Sequence, residues 1–362
     1  MTDNIPKYQV LVNWVKEHVN ANDLMPGDRL KSETELAAEF GMSRQTVRHA
    51  LGILEQEGII ECRQGSGNYI SNVALNRRSG SKNVVIISTY LNAYIFPNII
   101  EGMEEVLSEA GYGVQIAFTH NKVENERNVL NRILTEMSVD GIIVEPTKSG
   151  LPNPNLRIYE EIIRRGIPTV FFNSYYPGVK LPHVCMDDER AGYLAAKHLL
   201  ELGHKRIGAI FKSDDGQGPR RYQGYQNALL EAGVKVREEN IIWIDTEDQR
   251  TIIKDDKRIL RRLKGCTGCV TYNDTVAFDL ETICQKHGIR IPEELSVVSI
   301  DNSELAKLCE VPLTSVAHPM NRLGEKAAEN LISMIDDPLF DANYEFEPDI
   351  RVRDSAVQAR EE

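Results

Sequence analysis

The 362-residue chain reads as two units of different class: an N-terminal α+β unit of three helices and a β-hairpin, then a long α/β unit of parallel sheets with helices on both faces. Three observations point there. Apolar residues recur at helical spacing through residues 5–56, then give way to two short strand-like runs about a glycine-rich turn. A polar stretch with neither periodicity, SNVALNRRSGSK over 71–82, follows. Beyond it, short apolar runs alternate with helical stretches, the pattern of parallel strands joined by crossover helices.

The first helix starts after Pro6, a residue suited to a first turn, and carries Val10, Leu11, Trp14, Val15 and Val19 on one stripe. Met25-Pro26-Gly27-Asp28 breaks it. Ser32 and Glu35 form a capping box for a second helix that buries Leu36, Ala37 and Phe40 before Gly41. Ser43 caps a third, with Val47, Leu51 and Leu54 inward and Arg44, Gln45, Arg48, His49 and Gly52 on or beside an outward arc. Gly58 ends it, and strands at 59–63 and 68–70 flank the turn Gln64-Gly65-Ser66-Gly67.

After the linker the expected strands are Val84–Ser88, Val114–Phe118, Gly141–Val144, Thr169–Phe172, Ile207–Phe211, Ile241–Ile244, Cys269–Tyr272 and Val297–Ile300. One helix is well marked by Asp187 or Asp188 as cap, Ala191, Leu194, Ala195 and Leu199 inward, and Gly203 as stop. The division expected is therefore 1–70, a linker at 71–82, and 83–362. The last region is long for one sheet, so two lobes are expected, with the chain crossing near Pro182-His183 and Pro312-Leu313.

Composition removes several classes. No run approaches the ~18 apolar residues of a membrane helix, and MTDNIPKYQV lacks the basic and apolar segments of a secretory signal, so a cytoplasmic protein is expected. Six scattered cysteines do not make a disulfide scaffold, and the Cys266–Cys269 pair has no second pair or suitable histidine for zinc. Neither GxSxG, HExxH nor a Walker sequence occurs, so no catalytic residues, metal or cofactor are assigned. The balance of 42 Lys+Arg against 54 Asp+Glu, net −12, argues against non-specific coating of nucleic acid. The first 78 residues are nearly balanced, nine basic against ten acidic, so any DNA-binding face is a local strip.

Two helices joined at Gly41 and followed by a hairpin make a winged helix-turn-helix, whose second helix enters the major groove. Arg44 and Arg48 lie one turn apart on that helix, and arginine suits guanine as glutamine, here Gln45, suits adenine. Ser43 and Thr46 sit at the helix start, where hydroxyls and amides meet phosphate. The stretch MPGDRLKSETELAAEFGMSRQTVRHALGILEQEGIIECRQGSGNYI resembles the winged-helix domain of GntR-family regulators. That resemblance implies DNA contacts by Lys31, Ser32, Glu33, Arg44, Thr46, Arg48, Gln64 and Gly65, with Lys7 a further phosphate candidate. Lys31 stands where the family usually has proline.

In the long region, Asp187-Asp188-Glu189-Arg190-Ala191-Gly192, Leu202-Gly203-His204, Arg221-Tyr222-Gln223-Gly224-Tyr225, Tyr272-Asn273-Asp274, Ser296–Asp301 and Leu313-Thr314-Ser315-Val316 resemble the sensor of LacI/GalR regulators. This implies a two-lobed, periplasmic-binding-protein-like clamp with a sugar between the lobes. A sugar site needs forked polar side chains and an aromatic face, converging at strand ends. Arg221, Asn273 and Asp301 adjoin such ends, and Tyr90, Tyr94 and Phe96 follow the first strand, placed to stack on a ring. A GntR reader on this sensor, with the loops at Val144–Ser149 and Phe211–Gly218, resembles the L-arabinose-responsive repressors of Gram-positive bacteria. On that resemblance Glu145 and Lys148 serve the N-lobe side, and Asp214, Gln217 and Arg221 the C-lobe side. The expected partners are operator DNA, a sugar effector and a second copy of the chain, with no membrane. A regulator of another sugar or sugar phosphate, or a transport receptor, is the alternative.

Overall fold

The computed structural model describes residues 6–20, 23–25, 27–56, 58–63, 66–71, 81–90, 94–249 and 251–360. The N-terminal unit holds α1 (Lys7–Asn20), α2 (Glu33–Glu39), α3 (Arg44–Gln56) and the antiparallel pair β1 (Ile60–Arg63) and β2 (Gly67–Ile70). Both expected caps are present. Ser32 Oγ accepts from Glu35 N at 3.3 Å while Ser32 N donates to Glu35 Oε2 at 2.7 Å, and Thr46 N donates to Ser43 Oγ at 3.1 Å. Gly41, at φ +59°, makes the turn between α2 and α3 in a conformation that a β-carbon disfavours. Leu11, Val15, Leu36, Val47, Leu54 and Ile70 form one buried core; Val10 is exposed and Val12 is buried instead. The linker expected at 71–82 falls mostly outside the described residues.

The N-lobe is built from β3 (Asn83–Ser88), α4 (Phe96–Glu109), β4 (Gly113–Phe118), α5 (Val123–Glu136), β5 (Gly141–Val144), α6 (Leu156–Arg164), β6 (Thr169–Phe172) and β7 (His183–Met186). The C-lobe follows with α7 (Asp188–Glu201), β8 (Ile207–Lys212), α8 (Gln217–Glu231), β9 (Ile241–Ile244), α9 (Thr246–Gln249), α10 (Asp256–Arg262), β10 (Gly268–Thr271), α11 (Asp274–Lys286), β11 (Ser296–Asp301), α12 (Glu304–Leu308) and β12 (Thr314–Ala317). The chain then returns, with α13 (Met320–Asp336) and β13 (Tyr344–Phe346) in the N-lobe and β14 (Ile350–Arg351) in the C-lobe. The N-lobe sheet, ordered β13-β7-β6-β5-β3-β4, is parallel throughout. The C-lobe sheet, β14-β12-β11-β10-β8-β9, is parallel except for β14.

The crossings differ from the sequence expectation. His183 opens β7, so the first crossing comes at Asp187, which also proves to be the α7 cap through its bond from Arg190 N at 2.9 Å. Leu313 leads into β12, so the second comes at 318–319; a third runs between β13 and β14. Long-range bonds fix these points. Asp187 N donates to Phe346 O at 2.9 Å, and Ala317 N to Asp349 O at 2.7 Å. Because the sheets are parallel, the carboxyl ends of β3, β5, β6, β8, β10 and β11 face one interlobe crevice.

Candidate DNA-reading face and effector cavity

On α3, Arg44, Gln45, Arg48 and His49 are exposed, as an edge that enters a groove must be. Arg48 is held from behind. Its Nε donates to Glu33 Oε1 at 3.1 Å and its Nη2 to Glu33 Oε2 at 2.8 Å, a fork on a carboxylate, with Arg44 Nη2 3.9 Å from the same group. The bonds from Arg48 hold Glu33 below the usual carboxylate range. Ser43 and Thr46 share a 2.8 Å hydroxyl contact at the first turn, and Ser32 is occupied as the α2 cap. Lys31 is paired to Glu39 at 2.7 Å, and Lys7 is exposed at the start of α1. Gln64 and Gly65 lie outside the described residues.

Between the lobes lies a cavity of about 310 Å³. Of the residues expected there, Tyr90, Tyr94, Phe96, Glu145, Gln217, Arg221, Asn273 and Asp301 line it. Lys148 and Asp214 do not. Lys148 Nζ pairs with Asp214 Oδ2 at 3.5 Å, and Asp214 Oδ2 also accepts from Thr246 Oγ1 at 2.7 Å, so these charges tie the lobes together beside the cavity. Lys212 with Asp215, at 2.5 Å, faces the cavity in their place. Thr89, Asn121, Asn173 and Thr246, not singled out from the sequence, add to the polar wall, as does Tyr272 of the Tyr272-Asn273-Asp274 motif. Their signal was position: Thr89, Asn173, Thr246 and Tyr272 each come within two residues of a strand's carboxyl end.

Glu145 follows β5 and is 5% exposed. Thr89 N and Oγ1 donate to its Oε2 at 2.8 and 2.5 Å, and Asn173 Nδ2 to its Oε1 at 2.9 Å. Burial still pushes its carboxyl up to about 7. Arg221 stands in the second turn of α8, 3% exposed. Its Nε donates to Asp188 at 2.8 Å, Nη1 to Tyr272 O at 2.5 Å and Nη2 to Asp301 at 3.1 Å, all within the C-lobe. Burial opposes its charge, but Asp301 and Asp188 outweigh that and hold it protonated. Burial likewise raises Asp188 to about 6, against the pull of Arg221.

Gln217 Nε2 donates to Asn173 O at 3.2 Å, while its Oε1 is buried with no hydrogen-bond partner among the described residues. A cavity-lining acceptor left unmatched calls for a donor from a ligand. Asn173 Oδ1 is met by His318 Nε2 at 3.2 Å, and Met320 N donates to His318 Nδ1 at 3.1 Å. With Nδ1 accepting, Nε2 carries the proton; burial lowers this histidine to about 4, so it is neutral. Further bonds join the lobes: Asn121 Nδ2 to Thr246 Oγ1 at 2.7 Å, and Gly216 N to Ser149 Oγ at 2.9 Å.

Residues 7–70 match the family model for bacterial regulatory proteins of the gntR family, and residues 196–356 that for the periplasmic binding protein-like domain. Over 98% of its own length and 98% of the relative's, the chain is 38% identical to an arabinose metabolism transcriptional repressor of Halalkalibacterium halodurans. It is 36% identical to another from Geobacillus stearothermophilus, again over 98% of each. The chain belongs to the arabinose metabolism transcriptional repressor family. As a repressor of this family it has a DNA-binding head and a two-lobed sensor. The sensor fold is shared with the transcription regulator CcpA of Lactococcus lactis, with a TM-score of 0.67 at 27% identity over 76% of this chain and 98% of that one. No helix among the described residues is long and apolar enough to cross a membrane.

Proposed function

We propose that this repressor controls genes of arabinose use and leaves its operator when L-arabinose fills the interlobe cavity. The observation that carries the choice of a neutral sugar is the charge pairing in the wall. Lys212 is matched by Asp215, Arg221 by Asp188 and Asp301, and Glu145 adds a carboxyl, so the cavity has no surplus cation for a phosphate among the described residues. What it offers is hydroxyl chemistry: the free acceptor of Gln217, the carboxyl of Glu145, the amide of Asn273, and the rings of Tyr90 and Phe96 for a C–H face. The relatives' names supply arabinose as the sugar.

The cavity walls come from both lobes, so a sugar there binds the closed arrangement better than an open one and shifts the population toward it. In a homodimer, closure alters the spacing of the two reading heads relative to operator half-sites about one or two helical turns apart. In the sugar-free, operator-bound state Arg44, Gln45 and Arg48 read bases, while Lys7, Lys31, Ser43, Thr46 and the wing at Gln64 and Gly65 meet the backbone. Calorimetric titration of the full chain with L-arabinose, D-xylose, D-ribose, D-galactose and L-arabinose 5-phosphate tests the reading. L-arabinose is expected to bind most tightly and the phosphate ester not to bind; tighter binding of the ester overturns the proposal.

A further inference from the structure

Tyr94 was expected to offer its ring to a sugar, yet its hydroxyl is the better-placed part. The residue follows β3 in the N-lobe with φ +68°, a left-handed conformation disfavoured for a bulky side chain. That backbone sends the phenol across to the other lobe. Asp274 N donates to Tyr94 Oη at 3.0 Å, and Tyr94 Oη lies 3.4 Å from the carbonyl of Ile300. Asp274 is the first residue of α11, whose opening amides have no acceptor within the helix. Asn273 Oδ1 caps Val276 N at 3.1 Å, and Tyr94 takes the Asp274 amide. The start of a C-lobe helix is thus completed by an N-lobe side chain. Burial and the nearby carboxyls of Asp274 and Asp301 keep the phenol protonated, so it can donate as well as accept.

Position in the sheet gives this contact its weight. The bonds from Asn121, Lys148 and Ser149 meet the C-lobe at Asp214, Asp215, Gly216 and Thr246, beside β8 and β9. Tyr94 meets it at the ends of β10 and β11, on the other side of the cavity. Strained backbone persists where surrounding structure rewards it, and the return here is an interlobe bond that exists only when the lobes are closed.

We propose that Tyr94 is a positioning residue whose hydroxyl latches the lobes on the β10–β11 side, holding Asn273 against the cavity and setting the closed population that sugar draws on. This rests on the sugar-driven closure proposed above. A ligand's apparent affinity scales with the fraction of competent conformer, so loss of the latch weakens sugar binding without removal of any ring contact.

The test uses the full chain and two variants, Tyr94→Phe, which removes only the hydroxyl, and Tyr94→Leu, which removes the ring as well. Small-angle scattering of the sugar-free proteins reports lobe opening, and calorimetry reports L-arabinose affinity. The latch expects both variants to be more expanded than wild type, and both to bind arabinose about five- to tenfold more weakly, the Leu variant no worse than the Phe variant. Wild-type dimensions for Tyr94→Phe overturn the latch whatever the affinity does. Normal affinity for Tyr94→Phe with loss only in Tyr94→Leu assigns the residue to ring stacking and overturns it too. If wild type itself binds no arabinose, the proposed effector fails, and scattering still decides the latch.

Discussion

Arg48 and Glu145 show how single side chains are prepared for their partners. Glu33 holds the Arg48 fork in place before DNA arrives, through two bonds at 3.1 and 2.8 Å. The exposed pair adds little to stability and much to orientation. Arg48→Ala is expected to weaken operator binding by about 1–3 kcal/mol per half-site while sugar affinity, read in a separate unit, stays at the wild-type value. A gel-shift titration beside calorimetry checks both. Glu145, raised to about 7 by burial with Asp215 adding to it, is half protonated near neutrality. An acid raised in the fold stabilises it fully below its ordinary pKa, and that contribution is lost as pH climbs to about 7. A sugar hydroxyl that donates to the carboxylate favours the ionised form. Arabinose affinity should therefore rise from pH 6 to pH 8 with proton release on binding, and Glu145→Gln should flatten the profile. Sequence proximity misled at this scale. Lys148 stands three residues after Glu145, but its φ of +49° and its partner Asp214 turn it toward the lobe contact, and Lys212 supplies the buried ammonium instead.

The helix pair α7 and α8 carries the Arg221 cluster, and two glycines let it form. A β-carbon on Gly192 would sit 1.9 Å from Arg221 O, and one on Gly224 would sit 1.8 Å from Glu189 O. Gly224→Ala must push the helices apart, which moves Arg221 from Asp188 and Asp301. Overpacking of this kind costs about 1–3 kcal/mol or more, so the sensor's melting temperature and arabinose affinity should both fall, with the operator-binding head unaffected. Calorimetric melting of the variant checks this, and an unchanged sensor transition would contradict the packing argument. Strands such as β5, β6 and β9 were legible to the residue because they are short runs of apolar side chains, whether interior like β5 and β6 or at an edge like β9. Strands β7, β12, β13 and β14 were not, since they mix polar with apolar side chains, as in HVCM and TSVA, or run for only two or three residues. The crossings went with them. Bonds such as Asp187 to Phe346 span a distance in sequence that no local pattern records.

At the scale of the molecule, charge and closure divide the labour. The net charge of −12 resides almost wholly beyond residue 78, so the sensor repels DNA while the nearly balanced head leaves a local strip of cations to meet it. The two lobes meet through Lys148–Asp214, Asn121–Thr246, Ser149–Gly216 and Tyr94–Asp274 around a cavity whose cations are already matched. A ligand can move such a two-state device only by its differential affinity for the closed form, and contact with both lobes is how a sugar acquires it. The most direct test is release of DNA itself. The full-length repressor is bound to a fluorescent duplex that it has selected from random sequence, and anisotropy is followed as L-arabinose is added at fixed salt. The bound signal is expected to fall with a midpoint tracking the calorimetric arabinose affinity, and not to fall with D-ribose at the same concentration. Retention of the complex at arabinose concentrations that calorimetry shows to saturate the sensor would contradict release by sugar.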